Sequence, residues 1–228
     1  MMRIRGLRAG WLPALALGFS TAAVAVETIS YSYDGLGRLV GVKRAGTVND
    51  GVEARFAYDS ADNRTSVVVT GLPAVVGGGF EAPDLGASYR YRIAGGPVVF
   101  AGNSGIAGNG GGWGLADAPE GRQAGFLQSY GTASTIRLAV TGLTPGSSYR
   151  FHFRIAARIG YGANPVTLSF DGVALGTFTP GSAAFAAVAS APFTASAGSG
   201  TLTLTGSASP ADLGVGIDSV TVAAARSS

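Results

Sequence analysis

The chain has 228 residues, of which 46% are apolar and only 13% charged, with 37 glycines and a formal net charge of +3 at pH 7. So much apolar surface excludes a disordered chain, and abundant glycine with scarce charge excludes long solvated helices in favour of short strands and tight turns, in one large or two small domains. The absence of cysteine excludes disulfides, thiol catalysis and cysteine-bound zinc.

Residues 1–25 read as a secretory signal peptide: Arg3, Arg5 and Arg8, then an apolar run from Trp11 to Phe19, then Ala23-Val24-Ala25 before Val26. The run is too short to span a bilayer, and no later stretch is long and apolar enough to do so. Removing those three arginines from the 16 basic residues leaves 13 against 13 acidic ones, all of which lie further on. A mature chain of near-zero net charge is no nucleic-acid binder. The expectation is a protein that is secreted, periplasmic or held at the cell surface, without a membrane span.

Residues 26–70 hold two similar units, Tyr31-Ser32-Tyr33-Asp34-Gly35-Leu36-Gly37-Arg38 and Phe56-Ala57-Tyr58-Asp59-Ser60-Ala61-Asp62-Asn63-Arg64. Each places two rings on alternate positions, hence on one strand face, then turns on Asp, which predicts two β-hairpins. The pattern resembles the tyrosine-aspartate (YD or Rhs) repeats: Tyr33, Asp34, Gly37 and Arg38 match one form, and Tyr58, Asp59, Asn63 and Arg64 another. Asp62 stands where that family has glycine. Two units are too few to bury each other's apolar faces, so this region is expected to pack on the domain after it, to pair with another chain, or to be loosely ordered.

Residues 71–79 form a Gly/Pro-rich linker, and residues 80–222 a series of strands at short spacing, with residues 223–228 as a tail. Ile136, Leu138 and Val140 alternate with polar or small residues. In the next strand Tyr149, Phe151, Phe153 and Ile155 share one face, and Arg150, His152, Arg154 and Arg158 the other. In the last strand Val215 and Ile217 are out of phase with Val220 and Val222. That predicts either a bulge at Asp218-Ser219 or a carboxylate directed at the core. The fold class is all-β, a jelly-roll β-sandwich preceded by the hairpin pair.

The second region resembles the galactose-binding-like β-sandwich domains, which include many bacterial carbohydrate-binding modules. The residues that carry the resemblance are Gly79-Phe80-Glu81, the run from Pro119 to Gln128, Ala156-Ala157-Arg158, Phe170-Asp171-Gly172 and Ile217-Asp218-Ser219-Val220. It implies a structural calcium ion held by Glu81 and Asp218, whose hard oxygens suit that ion. The same two carboxylates could instead be satisfied by arginine or backbone N–H groups. It also implies a glycan or polysaccharide partner.

A sugar needs an aromatic face for its C–H surface and planar polar groups for its hydroxyls. Trp113 and Tyr161, each in a glycine-flanked loop, are the candidate platforms, with Glu120, Gln123, Gln128 and Arg158 as polar contacts. Against this, Trp113 could plug the end of the sandwich, and the arginines could form a solvated face.

Catalysis is not expected. His152 is the sole histidine, the glycine run lacks a following Gly-Lys-Ser/Thr, and Asp117 and Glu120 alone do not imply a glycosidase cleft. The reading is a secreted, non-catalytic carbohydrate-binding module. The alternatives are a structural or adhesive protein working through cell-surface protein contacts, and a remnant of a larger Rhs-type toxin or surface protein.

Overall fold

The computed structural model describes residues 27–46 and 51–225. The signal-peptide segment lies outside the described residues, which contain strands and turns but no helix.

The first four strands are Glu27–Tyr33 (β1), Leu39–Gly46 (β2), Glu53–Tyr58 (β3) and Arg64–Thr70 (β4), an antiparallel sheet in sequence order. Its two hairpin turns are built alike. Asp34 Oδ1 accepts the N–H groups of Leu36 and Arg38, and Asp59 Oδ1 those of Ala61 and Asn63. In both turns the side chain four residues on, Arg38 or Asn63, donates to the remaining carboxylate oxygen. These donors hold both carboxyls below the ordinary aspartate range, the backbone N–H of Arg38 or Asn63 contributing most. Gly37 takes the left-handed conformation in the first turn and Asp62 takes it in the second, at φ 79° and 64°. Asp62 accepts strain that glycine avoids, and its carboxylate receives Arg38 Nη1 at 2.6 Å, joining the two turns.

Register sorts this sheet into two faces. Tyr31, Val42, Ala54 and Val69 lie side by side across the four strands, with Ile29, Phe56 and Val67 on the same face. Ile29, Tyr31, Val67 and Val69 are exposed. The opposite face carries Lys43, Glu53, Arg55 and Ser66. Val42, Ala54 and Phe56 at the middle of this apolar face are half-buried, with the Arg64 guanidinium over the Phe56 ring, while the flanking Ile29, Tyr31, Val67 and Val69 stay open.

The remaining strands are Ala74–Val75 (β5), Tyr89–Tyr91 (β6), Val98–Ala101 (β7), Ser104–Gly108 (β8), Gln123–Ser129 (β9), Thr135–Thr141 (β10), Ser148–Ala157 (β11), Gly162–Ala163 (β12), Val166–Phe170 (β13), Val173–Phe178 (β14), Ala186–Ala189 (β15), Phe193–Thr194 (β16), Ser199–Gly206 (β17) and Leu213–Ala224 (β18). They form the expected sandwich. One sheet runs β14-β13-β17-β10-β5, with β7 also on β10, and the other β15-β11-β18-β9-β8-β6, with β12 on β18 and β16 on β11. Ile136, Leu138, Val140, Leu168, Leu202 and Leu204 of the first face Phe151, Phe153, Ile155, Val215 and Ile217 of the second across a dry core. Within the segment read as a linker, β5 pairs with β10 and the Gly78 carbonyl accepts the N–H of Val220.

The phase break in the last strand is a β-bulge. Pairing between β11 and β18 slips between His152 and Arg154, and Ser219 adopts φ 54°. The extra residue returns Val220 and Val222 to the core and leaves Asp218 in the phase of Gly214 and Gly216, on the outer side of the sheet.

Candidate functional site

The outer face of the eight-stranded sheet is partly covered by residues 109–118, and two glycines of β18 make room for that loop. A Cβ on Gly214 would lie 2.6 Å from Arg158 Cβ and 3.1 Å from the Trp113 ring, and one on Gly216 would lie 2.6 Å from Leu115. Trp113 is 1% exposed and stacks on Phe126 of β9 with ring centroids 4.2 Å apart. The platform role expected of Trp113 is thereby corrected: its ring is the plug of a second small apolar cluster with Ala107, Phe126, Tyr91 and Leu115. The flanking glycines signal a loop, but only the groove over β18 explains why that loop turns inward.

Around this plug runs a line of polar groups. Trp113 Nε1 donates to the Tyr91 hydroxyl at 3.0 Å, which in turn donates to Gln128 Oε1. Gln128 Nε2 donates to Asp212 Oδ1 at 2.5 Å, and Arg158 Nη1 approaches the same oxygen at 3.5 Å. Burial raises the Tyr91 phenol above its ordinary pKa, so it remains a donor at neutral pH. Arg158 Nε donates to the Trp113 carbonyl at 2.7 Å. The guanidinium lies between two rings, 4.7 Å from the Trp113 centroid and 3.6 Å from that of Tyr161.

Tyr161 is 46% exposed, with one face on Arg158. The turn that carries it is closed by its own N–H on the Arg158 carbonyl and anchored by the Ile159 N–H on the Gly114 carbonyl. At the other end of the line Tyr89 is 44% exposed and meets Tyr91 edge to face. The structure thus brings Trp113, Gln128, Arg158 and Tyr161 together and adds Tyr91, Tyr89 and Asp212. Tyr91 was legible only as one ring of a Tyr-Arg-Tyr strand. Asp212 had no distinguishing signal beyond its place before the last strand.

Gln123 and Glu120 belong elsewhere. Gln123 is buried; its side chain accepts the Leu85 N–H and donates to the carbonyls of Phe80 and Pro83, so it pins the irregular segment 80–85 rather than meeting a ligand. Glu120 lies in a carboxylate cluster with Glu81 and Asp218. Glu81 Oε1 accepts the N–H groups of Arg122 and Gln123, and Asp218 accepts those of Glu120 and Ser219. Asp218 is fully buried. Desolvation pushes its pKa up to about 7, outweighing the backbone hydrogen bonds from Ser219 and Glu120 that pull it down, with still smaller upward contributions from the charges of Glu120 and Glu81. None of the three makes an ion pair among the described residues, where no three His, Cys, Asp or Glu side chains form a ready cage for a metal. A cation here would rest on these carboxylates and on backbone carbonyls.

No family model and no curated protein matches the chain. Solved structures similar to it include the C-terminal domain of EclA, a sugar-binding protein, at 22% identity and TM-score 0.35, covering 38% of this chain and 64% of that one. The CBM22-1 xylan-binding domain of Paenibacillus barcinonensis Xyn10C is similar at 12% identity and TM-score 0.45, covering 69% and 96%. A family 35 carbohydrate binding module from Clostridium thermocellum is similar at 16% identity and TM-score 0.43, covering 68% and 99%.

Proposed function

We propose that the sandwich is a secreted, non-catalytic carbohydrate-binding module whose ligand lies on Tyr161. One observation carries this reading: an exposed tyrosine ring lies over a half-buried arginine, beside the planar polar groups of Gln128 and Asp212. The exposed ring face suits the C–H surface of a sugar, and the amide, carboxylate and guanidinium suit its hydroxyls. Trp113 serves here from behind, as the inner face of the arginine sandwich. Tyr161→Ala is expected to lower affinity for a binding polysaccharide by about tenfold, since one aromatic contact of this kind is worth roughly 1–1.5 kcal/mol. Its melting temperature should stay that of the parent chain. Affinity electrophoresis through galactan, xylan and mannan gels measures the first and calorimetry the second. Unchanged retention of the variant in every gel that slows the parent would remove Tyr161 from the site.

We further propose that Glu81 and Asp218 hold a structural Ca²⁺, with Glu120 close by. The support is a fully buried carboxylate beside two others with no cationic partner among the described residues. A calcium ion supplies the missing charge and ties the opening segment at Glu81 to the closing strand; it does no chemistry.

A second reading is favoured by the uncovered apolar face of β1–β4, of a kind that marks protein contacts. In it the hairpins, which resemble YD repeats, carry the sandwich on a surface assembly through protein–protein contact. Val67→Asp, at an exposed position on that face, should then abolish any concentration-dependent association seen by sedimentation velocity. A parent chain that stays monomeric and binds no surface protein would dismiss this reading.

A further inference from the structure

Outside the Tyr161 cluster, the outer face of β11 carries a stripe of basic side chains. Arg150, His152 and Arg154 alternate there, opposite the core residues Phe151 and Phe153. His152 and Arg154 lie in an open groove of about 460 Å³ on the outer face of the sheet, walled by Ala187 and Ala189 on one side and by Ser219 and Thr221 on the other. Register explains the groove: His152 stands between Ala189 and Thr221, and Arg154 between Ala187 and Asp218, so small neighbours leave both side chains standing clear.

Neither the Arg154 nor the His152 side chain makes a hydrogen bond or an ion pair among the described residues, whereas Arg150 is tied to the Ser190 carbonyl at 3.1 Å. Asp218 lies opposite Arg154 in the ladder, but its oxygens are taken by the N–H groups of Glu120 and Ser219. The bulge adds a second pointer. Ser219 holds φ 54°, a conformation that glycine would adopt freely, and so keeps a hydroxyl at the groove at a backbone cost.

We propose that this groove binds the anionic group of an acidic polysaccharide, a uronate carboxylate or a sulfate ester. Arg154 anchors the charge through a charge-assisted hydrogen bond, and the Ser219 hydroxyl donates to the same ligand, while the Thr221 hydroxyl, which donates to the His152 carbonyl at 3.4 Å, lines the wall. The methyl walls of Ala187 and Ala189 receive the apolar face of the sugar ring, which a free inorganic anion would leave unused. The site deepens the carbohydrate reading and rests on it, but it sits beside residues 152–154 of β11, away from Arg158 and Tyr161.

Affinity electrophoresis of the chain through polygalacturonate, heparin and neutral galactan tests it. The parent should be slowed by at least one acidic polymer, less so as salt is raised; which of the two is preferred separates carboxylate from sulfate. Arg154→Ala should weaken that retention by about tenfold, Arg154→Lys by less, and neither should change retention on a neutral polymer. Ser219→Gly should weaken it too while raising the melting temperature. Tyr161→Ala should leave it intact. No retention by either acidic polymer, or retention indifferent to Arg154→Ala, overturns the proposal. The neutral gel with Tyr161→Ala judges the first site separately, so the failure of one site is told apart from the failure of the other.

Discussion

Trp113→Ala is expected to destabilise the sandwich by roughly 3–5 kcal/mol, the range for emptying a fully buried aromatic position. The indole is 1% exposed and its ring fills the space that glycine at 214 leaves open. Its removal also leaves the Tyr91 hydroxyl without the Nε1 donor and Arg158 without one of its two stacking faces. Trp113→Phe keeps the stack on Phe126 and loses the hydrogen bond, which should cost about 1 kcal/mol from that bond alone. Urea unfolding of both variants measures the difference. A cost below about 1 kcal/mol for the alanine variant would mean that the indole is not the plug described here.

The second large effect is a dependence of stability on pH with the opposite sign to that of a salt-bridged aspartate. Folded Asp218 keeps its proton up to about pH 7, against an ordinary value of 3.8. Between these values the folded chain binds more protons than the unfolded one, so this contribution to stability is complete at low pH and is lost as pH rises through about 7. In chelator, the loss between pH 5 and pH 8 should amount to about 2 kcal/mol, a drop in melting temperature of about 4–8 °C for a chain of this size. Millimolar Ca²⁺ should restore the melting temperature at pH 8 and have little effect at pH 5, because the ion favours the charged carboxylate. A melting temperature flat in pH and indifferent to Ca²⁺ would remove both the strained carboxylate and the ion from the account.

Much of this was legible in the residues, for stated reasons. Alternation over residues 149–155 predicted the central strand and its two faces because a buried strand between core and solvent must alternate. The phase change at Asp218-Ser219 left a choice between a bulge and a carboxylate directed at the core, and Ser219 supplies the bulge. Tyr161 between two glycines marked a loop in which the ring need not be buried, and it is 46% exposed.

What escaped has physical causes too. Ser104–Gly108 is a strand buried throughout its length, yet its sequence is Ser-Gly-Ile-Ala-Gly, with no alternation to detect. Its smallness has a purpose: a Cβ at Gly105 would meet Phe126 at 2.9 Å. Trp113 was misplaced for a related reason. Whether a loop tryptophan faces out or in depends on the seat beneath it, and that seat is made of absences, Gly214 and Gly216, about a hundred residues further along the chain. Gln123 likewise reads as a surface amide until the segment 80–85 is folded against it. The polar line from Tyr91 to Arg158 joins residues from separate stretches, and no local spacing announces such a line.

The central claim is that the face carrying Tyr161 recognises a sugar. The measurement that tests it most directly is a glycan array probed in parallel with the parent chain and with Tyr161→Ala, in calcium-containing buffer. The expected result is that the parent binds a defined group of glycans and that the variant loses the neutral ones among them while its melting curve is unchanged. A parent chain that binds no glycan, or a variant that keeps the whole pattern, would contradict it.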